Sequence, residues 1–276
     1  MAGGDPAALL DRWRADLASW AIPDEILAAV DESPWTLPTR TFTRRAEEQL
    51  REPSGPSFAR AYEALVPAGS VLDVGAGGGA ASLPLAPRAS AITAVDEKPA
   101  MLRSLSDAAH AAGTKARVVE GRWPDVAHDV PPADVVTCHH VLYNAPDVGG
   151  VVTALADHAR RRVVVEVTAR HPLTSLNPLW ERFHGLVRPR RPTADDAIAI
   201  IEALGHRPSV RRWTRGAVRT CDSFAELVEV TRRRVCLPRE RGDEVAEALR
   251  DLGVDPACPE ELGGGRRDLV TIWWEP

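Results

Sequence analysis

Short valine-rich apolar runs recur from residue 71 to residue 167. They are "VLDV" (71–74), "AITAV" (91–95), "ARVV" (116–119), "ADVVTC" (133–138) and "RVVVEV" (162–167). Each is too short for a buried helix, and near-continuous apolar character is what a strand covered on both faces requires. Between them, "KPAMLRSLSDAAHAA" (98–112) and "DVGGVVTALADHAR" (147–160) place apolar residues at helical spacing. The alternation predicts an α/β fold with a doubly wound, mostly parallel sheet. Farther on, "PTADDAIAIIEALG" predicts a helix capped by Thr193, with Asp195 and Asp196 in its first turn and Gly205 past its end. "RPSVRRWT" (207–214) predicts a sixth strand, and "RDLVTIWWEP" (267–276) a last one. Between those two, "SFAELVEVTRRRV" has Ser223 and Glu226 at capping-box spacing, and a further helix runs from about Asp243 to Leu252.

The pattern before residue 70 differs. Leu10, Trp13 and Leu17 share one face of a helix predicted over about 6–20, and a shorter helix lies near Asp24 to Val30. Then comes a proline-broken stretch with no strand-like alternation. No apolar run approaches the roughly 20 residues of a membrane helix. The N-terminus mixes acids and arginines, unlike a signal peptide, so a cytoplasmic location and no membrane partner are expected. Cys138, Cys221, Cys236 and Cys258 lack metal-ligand spacing, so neither a metal site nor a disulfide framework is predicted. Net charge is −5, yet residues 160–241 hold 18 arginines against 9 acids. That basic stretch reads either as solvated helix faces or as a surface for an anionic substrate or nucleic acid.

The stretch richest in chemistry is "VLDVGAGGGAASLPLAPRASAITAVDEKPAML" (71–102). A strand delivers the chain to Gly75, Gly77 and Gly79, where a ligand can approach the main chain closely. A helix is expected next, its N-terminal amides facing that ligand. Asp96, at the tip of the second strand, stands where an acid can accept from ribose hydroxyls. Ala80 falls on the last position of G-x-G-x-x-G, so glycine spacing alone leaves a dinucleotide open.

Asp73, inside the strand two residues before the first glycine, distinguishes the two. "VLDVGAGGG" resembles motif I of the class I S-adenosylmethionine-dependent methyltransferases: apolar strand, acid, one residue, G-x-G-x-G. "AITAVDEKPAML", "RVVEGRWPDV" and "ADVVTCHHVLYN" resemble the family's second, third and fourth motifs, and the likeness spans about residues 60–205. It implies a seven-stranded sheet with the last strand antiparallel. Taken with the helical pattern of residues 1–66 and of the stretch near 217–262, it divides the chain into a helical N-terminal cap segment (1–66) and a Rossmann-like domain (67–276) with a helical insertion at about 217–262. The implied cofactor is S-adenosylmethionine. Gly75, Ala76 and Gly77 would line its methionine end by backbone, and Asp73 would organise the ammonium. Asp96 would bind the ribose, Glu97 would approach the adenosine, and His139 would make a backbone contact. The acid that commonly follows the third-motif glycine is absent: Gly121 precedes Arg122, a donor only. Trp123 is placed to stack on adenine, or equally to fill a core.

The implied reaction is methyl transfer to a small molecule at oxygen, nitrogen or carbon. RNA or protein methylation, a non-catalytic cofactor-binding protein and a nicotinamide oxidoreductase are the alternatives. His140 and Tyr143, after the fourth strand, are the candidate base or substrate contacts. "RHPLTSLNPLWERFHG" (170–185) and "PWTLPTRTF" (34–42) read equally as substrate walls or as packing. Arg188, Arg190 and Arg191 are placed to attract an anionic acceptor.

Overall fold

Seven strands form one sheet in the order β3-β2-β1-β4-β5-β7-β6. They are β1 (Gly69–Val74), β2 (Ala89–Asp96), β3 (Ala116–Glu120), β4 (Ala133–His139), β5 (Ala159–Thr168), β6 (Ser209–Gly216) and β7 (Arg266–Trp274). The first five run parallel, and β7 lies antiparallel to both β5 and β6. The computed structural model describes residues 5–35, 39–216, 221–260, 262 and 266–276, without the side chains of 39–43 and 266. Part of the "PWTLPTRTF" stretch and the start of the insertion expected at 217 lie outside the described residues. The helices are α1 (Pro6–Ala18), α2 (Asp24–Ala28), α3 (Thr39–Arg51), α4 (Pro56–Ala64), α5 (Pro99–Ala111), α6 (Val148–Asp157), α7 (Asn177–His184), α8 (Ala194–Ala203), α9 (Phe224–Arg234) and α10 (Gly242–Asp251).

Every predicted strand is present. Their valines explain why: Val71, Val135, Val136, Val163, Val164 and Val165 are buried on both sheet faces. Thr193 caps α8 as expected, with Asp196 Oδ2 accepting from the Thr193 amide and hydroxyl, each at 2.8 Å. The cap of α9 is half the predicted box. Ser223 accepts from the Glu226 amide, but the Glu226 carboxylate accepts from the Asp222 amide, one residue earlier.

One crossover departs from expectation. No α-helix follows the glycine loop; β1 and β2 are joined by a single 3-10 turn, Leu83–Leu85. Pro84 and Pro87 account for it, since proline inside a helix removes an amide donor and clashes with the preceding turn.

The N-terminal helices share the cores of the sheet. Trp13 of α1 is buried, stacks on Tyr143 at 5.8 Å, and donates its indole N–H to the Ala145 carbonyl at 2.9 Å. Ala61 of α4 packs with Val71, Val135 and Val164. A second cluster joins Leu179 and Trp180 of α7 to Leu227 and Val230 of α9 and Val245 and Leu249 of α10. No helix among the described residues is long and apolar enough to cross a membrane.

Candidate active site

The strand order reverses between β1 and β4, and a cavity of about 640 Å³ opens beyond the carboxyl ends of the parallel strands. Its wall includes Asp73, Gly75, Ala76 and Gly77 from the first loop, and Asp96 and Glu97 after β2. Gly121, Arg122 and Trp123 follow β3, and His139 and His140 follow β4. The ten residues to which the family resemblance gives cofactor roles thus face one space.

Two glycines have distinct reasons to be there. At Gly75 (φ +67°) an added Cβ would meet Val141 Cγ2 at 2.3 Å, so side-chain absence lets the loop after β4 close in. Gly77 (φ +52°) has nothing within 4 Å of that position, which is open space toward the cavity. Gly79, third in the motif, packs against Leu83 and Leu105.

The two acids differ. Asp96 accepts from the Gly77 amide through Oδ2 and from the Lys98 amide through Oδ1, both at 2.8 Å. It therefore holds the glycine loop as well as facing the cavity. Asp73 is 1% exposed; Thr137 donates to its Oδ1 at 3.0 Å, while Oδ2 has no hydrogen-bond partner. Burial raises its carboxyl to about 6, against the Ser82 and Thr137 hydroxyls and the Ser82 amide, which lower it, and with a smaller push from the Asp96 charge. A buried unpaired oxygen on the cavity wall suits a cationic or water donor.

On the β3 side, Arg122 donates to the Asn144 carbonyl at 3.2 Å. Trp123 lies in the main core, edge-on to His158 at 4.9 Å, while also lining the cavity. Its indole N–H is buried without a partner. The core reading of this tryptophan holds, and its side chain also reaches the cavity wall.

Beside His139 at the end of β4, Glu166 of β5 organises a polar cluster that the sequence did not single out. Arg45 of α3 donates to its Oε1 at 2.7 Å, and Ser57 of α4 donates to its Oε2 at 2.6 Å. The Thr271 hydroxyl of β7 is 2.7 Å behind Ser57. His140 Nε2 lies 3.1 Å from Oε1 but off hydrogen-bonding alignment. Burial opposes ionisation of Glu166, yet His139, His140 and Arg45 together hold its carboxyl well below the usual range. Burial first, then the Arg45 charge, pushes His140 down to about 4, so its imidazole is neutral at physiological pH. His140 has φ +60°, uncommon for a residue with a Cβ, while its amide donates to the Glu166 carbonyl at 2.7 Å.

Two expectations are corrected here, and one open reading is decided for its packing alternative. Tyr143 does not line the cavity: it is buried, donates to the Thr168 carbonyl at 2.8 Å, and stacks on Trp13. Its hydroxyl already has a partner, and burial raises its pKa further. The 170–185 segment is mostly packing, because its apolar residues feed the second core. His171 stacks on Trp20 at 4.1 Å, His184 bonds the Val235 carbonyl, and only Pro172 of this segment reaches the cavity wall. Arg188 donates to the Trp20 and Ala21 carbonyls, and Arg191 binds Asp16 and Asp196. Neither faces the cavity.

Much of the basic stretch is likewise paired: Arg182 with Asp251, Arg212 with Asp195, Arg232 with Glu32 and Glu229, and Arg241 with Glu244. The arginines that do line the cavity are Arg45, Arg122, Arg215, Arg234 and Arg267. Of these the sequence had singled out Arg122 by name, while Arg215 and Arg234 lay undistinguished in the basic stretch 160–241. The signal for the other four is three-dimensional, since they come from α3, β6, α9 and β7.

Residues 71–162 match a protein-family model described as a methyltransferase domain. In structure, the chain is similar to the YcgJ protein of Bacillus subtilis, at 17% identity and TM-score 0.53, covering 79% of this chain and 97% of that one. It is similar to an S-adenosylmethionine-dependent methyltransferase from Thiobacillus denitrificans in complex with S-adenosyl-L-homocysteine (16% identity, TM-score 0.51, 86% and 98% covered). A third is magnesium protoporphyrin IX methyltransferase from Synechocystis PCC 6803 with bound S-adenosylhomocysteine (17% identity, TM-score 0.50, 95% and 92% covered). At such identities the structural likeness speaks for the fold. No curated protein matches the sequence significantly.

Proposed function

We propose that this class I, Rossmann-like S-adenosylmethionine-dependent methyltransferase transfers its methyl group to a small-molecule acceptor, at oxygen, nitrogen or carbon. The observation that carries the reading is continuity: one cavity runs from the glycine loop and Asp96 to His140 and a group of arginines. A space of that volume suits a nucleoside-sized cofactor with a small acceptor beside it.

The residues present fit the cofactor. The open position at Gly77 leaves room for its methionine end beside the main chain. The unpaired Asp73 Oδ2 suits its ammonium group, directly or through water. Asp96 can accept ribose hydroxyls beyond the two amides it already binds, since a carboxylate has about four acceptor sites. Glu97 approaches the adenosine, and Trp123, with Gly121 and Arg122, borders the adenine. When bound, S-adenosylmethionine supplies a methyl carbon activated by a sulfonium. The protein's task is to align the acceptor with that carbon and keep water out. His140 is neutral and backed by Glu166, so it is placed to orient the acceptor or take its proton. The helices before residue 67 serve as a cap, through Arg45 of α3 on the cavity wall.

Two measurements test this reading. Calorimetric titration should show binding of S-adenosylmethionine and S-adenosylhomocysteine and negligible binding of NAD or NADP. Co-purified small molecules, incubated with methyl-labelled cofactor and followed by mass spectrometry, should yield a labelled product. Nicotinamide binding without adenosylhomocysteine binding would overturn it.

The glycine loop gives a sharper check. Gly77→Val should leave the protein folded, because an added Cβ meets no protein atom within 4 Å. The left-handed φ should cost about 1–2 kcal/mol, visible as a lower Tm. Adenosylhomocysteine affinity should fall at least tenfold, because the side chain enters the cofactor's space. Unchanged affinity would place the methionine end elsewhere.

A further inference from the structure

Glu166 meets His140 at two points. The His140 amide donates to the Glu166 carbonyl at 2.7 Å, which helps keep the residue at its left-handed φ of +60°. A residue with a Cβ holds that conformation only where its surroundings impose it. At the ring, Nε2 lies 3.1 Å from Glu166 Oε1. That nitrogen is buried and makes no aligned hydrogen bond. The carboxylate is itself fixed by donors. Ser57 of α4 gives its one hydroxyl hydrogen to Oε2 at 2.6 Å. The Thr271 hydroxyl, 2.7 Å from Ser57, therefore donates to Ser57. The Trp213 indole of β6, which only donates, gives its hydrogen to Thr271 at 3.1 Å. Every hydrogen of this chain runs toward Glu166, as an ionised carboxylate requires.

On Oε1, Arg45 of α3 fills one acceptor position at 2.7 Å and leaves a second on the oxygen beside His140. That second position decides which ring nitrogen carries the proton. A lone pair on Nε2 would stand 3.1 Å from a carboxylate oxygen, two acceptors facing each other in a buried place. A proton there is attracted instead. A small turn about the last side-chain torsion, which is broad for histidine, aligns it. The lone pair of the neutral ring then sits on Nδ1. The charged and titratable groups about the ring are Glu166 of β5, Arg45 of α3 and the neighbouring His139, with Arg215 of β6 acting on His139 and on Glu166. Burial is the first cause that holds His140 at about 4, and the Arg45 charge is the second.

We infer that Glu166 is a positioning residue for methyl transfer: it keeps the His140 proton on Nε2, so that Nδ1 is the nitrogen that takes the acceptor's proton. Arg45, from the segment before the sheet, has a matching part. By sharing Oε1 it restrains Glu166 from charging the ring. The inference deepens the methyl-transfer reading and rests on it. In the step served, the acceptor's O–H, N–H or C–H bond breaks and its proton goes to Nδ1. The electron pair stays on the acceptor atom, which bonds the methyl carbon as the carbon–sulfur pair leaves with sulfur. The imidazolium so formed has the Glu166 carboxylate 3.1 Å from its Nε2 to balance it.

The experiment uses the intact chain with nitrogen-labelled histidine, with and without saturating S-adenosylhomocysteine. Ring-nitrogen chemical shifts, assigned with a His140→Asn variant, report which nitrogen of His140 is protonated. The parent should show a neutral ring with its proton on Nε2, titrating near 4. In Glu166→Gln the proton should pass in part to Nδ1, because a glutamine amide can donate to Nε2 as well as accept from it. A merely structural glutamate would leave the tautomer where it was. In Arg45→Gln the His140 titration should move up by about one pH unit, the size of a nearby charge's effect, and Arg45→Lys should restore the parent's value. These two variants decide the question if Glu166→Gln, which leaves a buried arginine unpaired, does not fold. Labelled-methyl incorporation into the co-purified acceptor should slow at least tenfold in Glu166→Gln, with adenosylhomocysteine affinity within twofold. A parent proton on Nδ1, an unchanged tautomer in Glu166→Gln, an Arg45→Gln that titrates like the parent, or parent-like incorporation would each overturn the proposal. The expected tautomers in a chain that does not bind adenosylhomocysteine would refute the cofactor reading while leaving the pairing of Glu166 with His140 in place.

Discussion

Asp96→Ala should weaken S-adenosylhomocysteine binding by about a hundredfold, more than any other single change at the cofactor end. The reason is that Asp96 has two duties. Its carboxylate accepts from the Gly77 and Lys98 amides, and so fixes the main chain beside which the methionine portion would lie. The same oxygens face the cavity, where ribose hydroxyls would find them. A hydrogen bond to a charged group contributes about 1.5–3 kcal/mol, or roughly a tenfold to 150-fold change in affinity. Loss of the ribose contact alone reaches that range, and an unpaired Gly77 amide adds to it. Asp96→Asn retains an acceptor for one amide and should lie between the two. Titration calorimetry distinguishes the cases, and parent-like affinity in Asp96→Ala would show that the ribose is held by another residue. The core should be unaffected, since Asp96 sits at the strand tip.

The half of the cavity wall proposed to hold the cofactor could be read from the sequence because it is local. Asp73 to Gly77, Asp96 and Gly121 to Trp123 each sit at the end of a strand whose valines announce it. Parallel order then brings those ends together. The missing helix between β1 and β2 was also written there, in Pro84 and Pro87, but the strand-helix alternation outweighed them. Helices α3 and α4 were hidden differently: the prolines of residues 34–56 read as breaks, although Pro56 starts α4, where its absent amide costs nothing. The rest of the polar wall was not legible. Arg45, Glu166, Arg215 and Arg267 come from α3, β5, β6 and β7, and no spacing rule joins them. A chain with 32 arginines gives none of them a distinguishing mark. Position near the fourth strand made Tyr143 look functional, whereas an aromatic with a polar tip serves as well in a core that offers its hydroxyl a carbonyl.

Acid should destabilise the protein well above the pH at which carboxylates ordinarily protonate. His139, His140 and His171 are each held at about 4, chiefly by burial, with Arg45 acting on the first two and Arg188 on the third. The unfolded chain protonates these rings near 6.5. Each therefore contributes nothing adverse above about pH 7, and stability is lost as pH falls from 6.5 toward 4, where the unfolded state takes up protons that the folded state refuses. Asp73 acts in the opposite sense. Its folded value of about 6 lies above the unfolded one, so the folded state binds the extra proton, and that contribution fades as pH rises through 6. Three protons against one leaves a difference of about two, which corresponds to roughly 2–3 kcal/mol of stability lost between pH 6 and pH 5. Glu166, held low, adds a loss of the same sign only at more acid pH. Urea unfolding at pH 7, 6 and 5 measures the slope directly. Asp73→Asn removes the opposing group, so the slope should steepen toward three protons, and His171→Asn should flatten it toward one. A stability unchanged from pH 7 to pH 5 would mean that these rings protonate in the folded chain. In that case His140 would carry a charge beside Glu166 at mildly acid pH, and it would face the acceptor as a donor.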